Sequence, residues 1–187
     1  MAGVGAIHAV GAGLETWLAR AHAVSAVRDT SCAFRLVGIS QFTRLTGGDP
    51  TLSLLLHRVS HNPVMRNAAF GASSPATAPL VVDLHYMATV WADSPAVEHL
   101  ILAWVAREFH RTPVLGRGVL GPGFDDDLVQ LTPDEVTTEA MSQLWGMLSP
   151  PYRPSLFYVV RNVRIEGDPA ERFPPVIADR IVLEQAR

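Results

Sequence analysis

Residues 80–90 alternate with a period of two, placing Leu80, Val82, Leu84, Tyr86, Ala88 and Val90 on one side of a strand and Asp83 and His85 on the other. The period then changes at once. Ser94-Pro95 supplies a helix N-cap and a first-turn proline, and Val97, Leu100, Ile101, Trp104, Val105 and Phe109 follow at helical spacing. Arg107, Glu108 and Arg111 lie toward the other side, and Pro113 ends the pattern. A half-buried strand joined to a one-stripe helix leaves few packings open, because the stripe has to lie on a sheet.

The rest of the chain fits that layer. Ile7, Val10, Leu14, Trp17, Leu18 and Ala21 recur at helical spacing, although Gly11 and Gly13 each weaken a helix by about 1 kcal/mol relative to alanine. Residues 33–40 read as a short apolar strand, and 43–50, with Gly-Gly-Asp-Pro, as a turn. Residues 51–61 form a stronger strand that fades at Asn62-Pro63, and 71–79 form a loop with two prolines. A glycine-punctuated stretch, 116–123, leads past three aspartates to a short strand at 128–131. Thr132-Pro133-Asp134-Glu135 has capping-box spacing ahead of a helix carrying Met141, Leu144, Trp145 and Leu148, which Pro150-Pro151 stops. Residues 155–165 are a long β-rich run, and 176–183 are a last apolar piece beyond Pro174-Pro175. The fold class expected is α+β, a mixed β-sheet flanked by helices. Leu100, Ile101, Trp104, Val105, Leu144, Trp145 and Leu148 are expected to pack together against the face of Leu84 and Tyr86.

Composition narrows the function classes. The chain has 187 residues, 48% of them hydrophobic, which suits one packed domain, or one domain with an extended arm. A net charge of −3 argues against non-specific grip on nucleic acid or anionic lipid. Cys32 is the single cysteine, so an intrachain disulfide and a cysteine-rich zinc site are excluded. No run approaches the roughly 18 apolar residues of a membrane span, and no basic n-region precedes the Ala/Gly-rich start. A soluble protein without a signal peptide, made in the cytoplasm, is the expectation.

Chemistry-bearing fragments are few. Gly3-x-Gly5 begins like a dinucleotide fingerprint, but His8 stands where the third glycine belongs. His57 and His61 lie about 13 Å apart on a strand, too far for one ion. Asp83 and His85 share a strand face about 7 Å apart, a fragment of a hydrolytic site without a nucleophile signature. Asp125-Asp126-Asp127 lacks the spaced ligands of a calcium loop and reads as a solvated turn. No enzyme, cofactor or metal is expected from these residues.

Three stretches carry a family resemblance. They are Leu54-Leu55-Leu56-His57-Arg58-Val59 with Asn62-Pro63 and Arg66-Asn67; 79–90 with its Leu84-His85-Tyr86 core, then the helix to Phe109 and Pro113-Val114-Leu115; and Leu144-Trp145-Gly146, Tyr152-Arg153-Pro154-Ser155 and Tyr158-Val159-Val160-Arg161. As an ordered set over roughly residues 7–166 they resemble the terminator (cap) proteins of extracellular contractile injection systems of the antifeeding-prophage type. The resemblance implies a tail-terminator-like fold and a structural role without catalysis or cofactor. It implies a homo-hexameric ring on the end of the inner tube distal to the baseplate, ending tube and sheath growth and engaging the last layer of the contractile sheath. The implied partners are further copies, the inner tube protein and the contractile sheath protein, with no nucleic acid and no membrane, in a particle assembled in the cytoplasm. Another tail-completion or joining protein of a phage-like particle is the alternative, and a small hydrolase using Asp83 and His85 a third reading.

Within that reading, residues 1–170 form one α+β cap domain and 171–187 a C-terminal edge strand or partner-binding arm. The candidate interface residues are Arg66, Arg153, Arg161, Val176, Ile177, Ile181 and Leu183. Arg66 and Arg161 would either pair with carboxylates, inside the fold or across a ring joint, or stand exposed to solvent. The apolar arm would add a strand to an open sheet edge.

Overall fold

The computed structural model describes residues 3–62, 79–124 and 129–166. Its elements, in chain order, are α1 (Ala6–Ala23), β1 (Ala33–Val37), α2 (Ile39–Phe42), β2 (Thr51–His61) and β3 (Leu80–Trp91). Then follow α3 (Pro95–Arg111), β4 (Val114–Leu115), α4 (Arg117–Leu120), β5 (Val129–Pro133), α5 (Thr138–Leu148) and β6 (Ser155–Ile165). The strands make one six-stranded sheet in the order β1-β2-β3-β6-β5-β4. Only β1 and β2 run parallel, and every other neighbouring pair is antiparallel, so the sheet is mixed as expected.

Helices cover both faces, and the face each helix takes follows from strand alternation. Val82, Leu84, Tyr86, Ala88 and Val90 join Leu14 and Leu18 of α1 and Ile101, Trp104, Val105 and Phe109 of α3 in one large cluster. Met87 and Trp91 point the opposite way, where Leu55, Phe42 of α2 and Trp145 and Leu148 of α5 meet them. The expected single core is therefore two. Trp145 and Leu148 do not reach Leu84 and Tyr86, and Leu100, expected inside, is 42% exposed.

Two further expectations change. Thr132 and Pro133 end β5 rather than cap a helix, and α5 starts at Thr138 with Thr137 as its N-cap, whose hydroxyl accepts from the Ala140 amide. Ser149, at φ 70°, closes α5 ahead of the double proline. The glycines of α1 are contact sites. A Cβ on Gly13 would lie 2.6 Å from the Val119 carbonyl oxygen, and one on Gly11 would meet the Leu36 side chain. Helix α1 thus trades propensity for close approach to α4 and β1.

Candidate assembly surface

On the α5 side the sheet is apolar where the helix lies and polar beyond it. A register shift between Leu56 and Arg58 puts an extra residue, His57, into β2. Past it, Arg58 pairs with His85 and Ser60 with Asp83. The buried His85 ring is held on both nitrogens. Its Nδ1 lies 2.6 Å from Asp134 Oδ2, and its Nε2 lies 2.9 Å from the Ser60 hydroxyl. Arg58 Nη2 stands 3.0 and 3.2 Å from the two ring nitrogens and 3.8 Å from the Asp134 carboxylate.

The Ser60–His85–Asp134 order imitates a hydrolytic triad, but its surroundings oppose that chemistry. A serine nucleophile needs a histidine that becomes imidazolium in the transition state. Here Arg58 Nη2 already stands within hydrogen-bonding distance of both ring nitrogens. Ser60 also sits within a regular ladder opposite Asp83, on backbone already committed to the sheet. The cluster ties the β5–α5 turn to β2 and β3.

Asp83 is not the partner of His85. It stands at the register shift between Val82 and Leu84, where β6 carries an extra residue, and its Oδ1 accepts from Asn62 Nδ2 (3.2 Å) and from the Asn162 amide (3.1 Å). Asn162 has φ 64°, the left-handed region that asparagine tolerates, so one carboxylate ties the β6 bulge to the end of β2. The pairing read from sequence is thereby replaced by His85–Asp134. Nothing in the sequence marked Asp134 for this role, because it fell inside a motif that fits a helix cap.

His57 stacks edge-on against His85 and Phe157, with ring centroids 6.2 and 5.8 Å away. Partial burial, aided by His85 and the Arg58 cation, lowers its pKa to about 4. Beside it, a cleft of about 370 Å³ is lined by His57, Arg58, Asp134, Glu135 and the exposed Met147. Among the described residues no group of three His, Cys, Asp or Glu side chains is placed to hold a metal ion.

Arg153 faces inward at the proline corner before β6. Its Nη1 donates to Glu98 Oε2 (2.9 Å) and to the Ala92 carbonyl (3.1 Å), and its guanidinium lies 5.3 Å from the Trp91 ring centre. Arg161 is exposed, on the sheet face beyond α5, and makes no ion pair with a described residue. Arg66, Val176, Ile177, Ile181 and Leu183 lie outside the described residues, as does Asp125-Asp126-Asp127. Of the seven interface candidates, the two within the described residues stand differently, Arg153 facing inward and Arg161 exposed.

The fold has counterparts among solved structures. It is similar to the sheath/tube terminator of the PVC extracellular contractile injection system in the extended state, with TM-score 0.58 and 18% identity over 98% of this chain and 64% of that one. It is also similar to the tube-terminating cap of the anti-feeding prophage, with TM-score 0.50 and 15% identity over 78% of this chain and 58% of that one. A mixed sheet flanked by helices is what this chain shares with both. The sequence profile of the Pvc16 N-terminal domain matches residues 9–179, and the chain belongs to that family. No curated protein sequence matches it. The chain spans less than two-thirds of either terminator. No helix among the described residues is long and apolar enough to cross a membrane.

Proposed function

We propose that this protein is a tail terminator, a structural cap that closes the inner tube of a contractile injection system at the end distal to the baseplate. The observation that carries this reading is family membership over residues 9–179 together with a terminator fold across nearly the whole chain. The cap is a homo-hexameric ring that stops tube growth and engages the last sheath layer. It is assembled in the cytoplasm with the inner tube and contractile sheath proteins as partners. A ring of this kind repeats one heterologous joint, so its geometry closes only at the subunit number of the tube ring beneath it.

The inward-facing Arg153 shapes the corner, while Arg66 and the exposed Arg161 face partners at the joints. Residues 1–170 form the cap body, and 171–187, with Val176, Ile177, Ile181 and Leu183, form an arm. A deletion strain tests the role. Electron microscopy of its particles should show tubes absent, unfinished or widely scattered in length, with baseplates still formed. Sheathed, contractile particles of normal length would overturn it.

A further inference from the structure

The sheet has one edge whose hydrogen-bonding capacity is left to a side chain. Strand β1 pairs with β2 on one side, and no described strand pairs with its other side. In the parallel ladder Ala33, Arg35 and Val37 turn their backbone groups toward β2, as the Ala33 amide bond to the Pro50 carbonyl shows, so Phe34 and Leu36 turn theirs outward. The outward Leu36 amide is met by Glu15 Oε2 of α1 at 3.2 Å. A carboxylate on a flexible stem is a replaceable partner for a strand amide, and an edge so covered accepts an added strand once the carboxylate swings away.

Next to this edge lies a groove of about 290 Å³ between β1 and α2, lined by Arg35, Leu36, Val37, Gln41, Arg44 and Leu45. Arg35 and Val37 share its side of the sheet, opposite Ser53 and Leu55. The groove offers apolar wall and two arginines. The chain itself contains a segment of matching chemistry. In residues 176–183, Ile177, Asp179 and Ile181 alternate, an acidic residue between two isoleucines on one face of an extended strand.

Reach decides whose segment it is. Through the paired registers Val37 stands level with Phe157, whereas the chain leaves β6 at Ile165. Eight residues along the strands is about 26 Å, and four inter-strand spacings from β6 to a strand added beyond β1 are about 19 Å, so the straight line is about 32 Å. The chain from Ile165 to Val176 spans at most about 36–40 Å fully stretched. It contains Pro169, Pro174 and Pro175 and would have to go around the body rather than through it. A copy's own edge is at the limit of its own arm, and a neighbour's edge carries no such constraint.

We propose that residues 176–183 of one copy add a strand to the β1 edge of the next copy in the ring, displacing Glu15 from the Leu36 amide and seating Ile177, Asp179 and Ile181 over the Arg35–Arg44 groove. This rests on the terminator reading and supplies its ring joint. The test uses full-length protein in assembled particles, with Cys32→Ser and Arg35→Cys combined with one further cysteine at each of positions 177–181 in turn. Oxidised particles should give a ladder of linked copies on non-reducing gels, at least threefold stronger for Ile177→Cys, Asp179→Cys and Ile181→Cys than for Ala178→Cys and Arg180→Cys. Adding Glu15→Ala should raise the yield. Cross-links confined within single copies, equal yields at all five positions, or no ladder from protein that is present on the particle would each overturn the joint and leave the terminator reading standing. Absence of the protein from particles would overturn both.

Discussion

The two faces of the sheet are built from the same three long strands and hold themselves together differently. Under α1 and α3 the face is continuously apolar from Val82 to Val90, and its helices bury Leu14, Leu18, Trp104 and Val105 on it. The opposite face is divided along its length. Phe42, Met87, Trp91, Trp145 and Leu148 make a small aromatic cluster under α2 and α5, and beyond it His57, His85, Asp134 and Arg58 replace packing with polar contacts. A strand residue's fate is thus set by which helix lies above it as much as by its own hydrophobicity. Asn62, Asp83 and Asn162 hold one another beyond the apolar cluster, and Arg161 is exposed.

The comparison is broken most directly at its larger side. Trp104 is 2% exposed and its ring meets those of His22 and Phe34. Trp104→Ala should cost about 3–5 kcal/mol, read by urea denaturation. Trp145, 5% exposed, belongs to the smaller cluster with Phe42 and Tyr152 around it. Trp145→Ala should cost about 3 kcal/mol, at the lower end of the same range. Because the sheet separates the two indoles, the double variant should be additive to within about 0.5 kcal/mol. A coupling well above that value would mean one core rather than two.

A third test concerns the ion pair where α3 meets the chain entering β6. Glu98 and Arg153 side chains are 11% and 25% exposed, and the guanidinium also serves the Ala92 carbonyl. Arg153→Ala strands a mostly buried carboxylate and should cost about 2 kcal/mol. Glu98→Gln on that background should recover part of the loss. If Arg153→Ala melts like the parent, the corner is held by Pro154 and Trp91 packing alone.

How much of this was legible beforehand can be traced through particular residues. The strands at 51–61 and 155–165 and the helix after Ser94 were readable because their signals are local: period, cap and proline. The partition into two cores was not. Trp145 and Trp104 sit on equally apolar helical stripes, and only the sheet order, with α5 entering from β5 on the far side, decides that they never meet. Asp134 escaped for a related reason. Its sequence neighbours fit a cap, while its partner, His85, is 49 residues away and becomes adjacent only through β6. Gly11 and Gly13 looked like flaws in α1 because the residues that need the space, Leu36 and Val119, are remote in sequence. Of the seven interface candidates, Arg153 and Arg161 fall within the described residues.

The smallest expected effect lies in the polar half of the divided face and takes the form of a pH dependence. His57 shifts from its ordinary value of 6.5 to about 4, first because burial penalises the imidazolium and then because His85 and Arg58 repel it, with Asp134 opposing them. Glu135 also lines the adjoining cleft. The sign follows from where the proton binds. Above pH 6.5 His57 is neutral in both folded and unfolded chains and contributes no pH dependence. As pH falls from 6.5 toward 4 the unfolded chain takes up a proton that the folded chain refuses, so stability declines across that window and the decline levels off below it. Because the side chain is only partly buried, solvent screening keeps the effect modest. Melting temperatures of the parent and of His57→Gln, followed from pH 7.5 to 4.5, isolate it, since titrations common to both proteins cancel in the difference. The parent should lose more stability than the variant between pH 6.5 and 4.5, by an amount equivalent to less than one proton. Parallel curves would show that His57 is solvated like an ordinary surface histidine, and the polar half of this face would then be no drier than the rest of the surface.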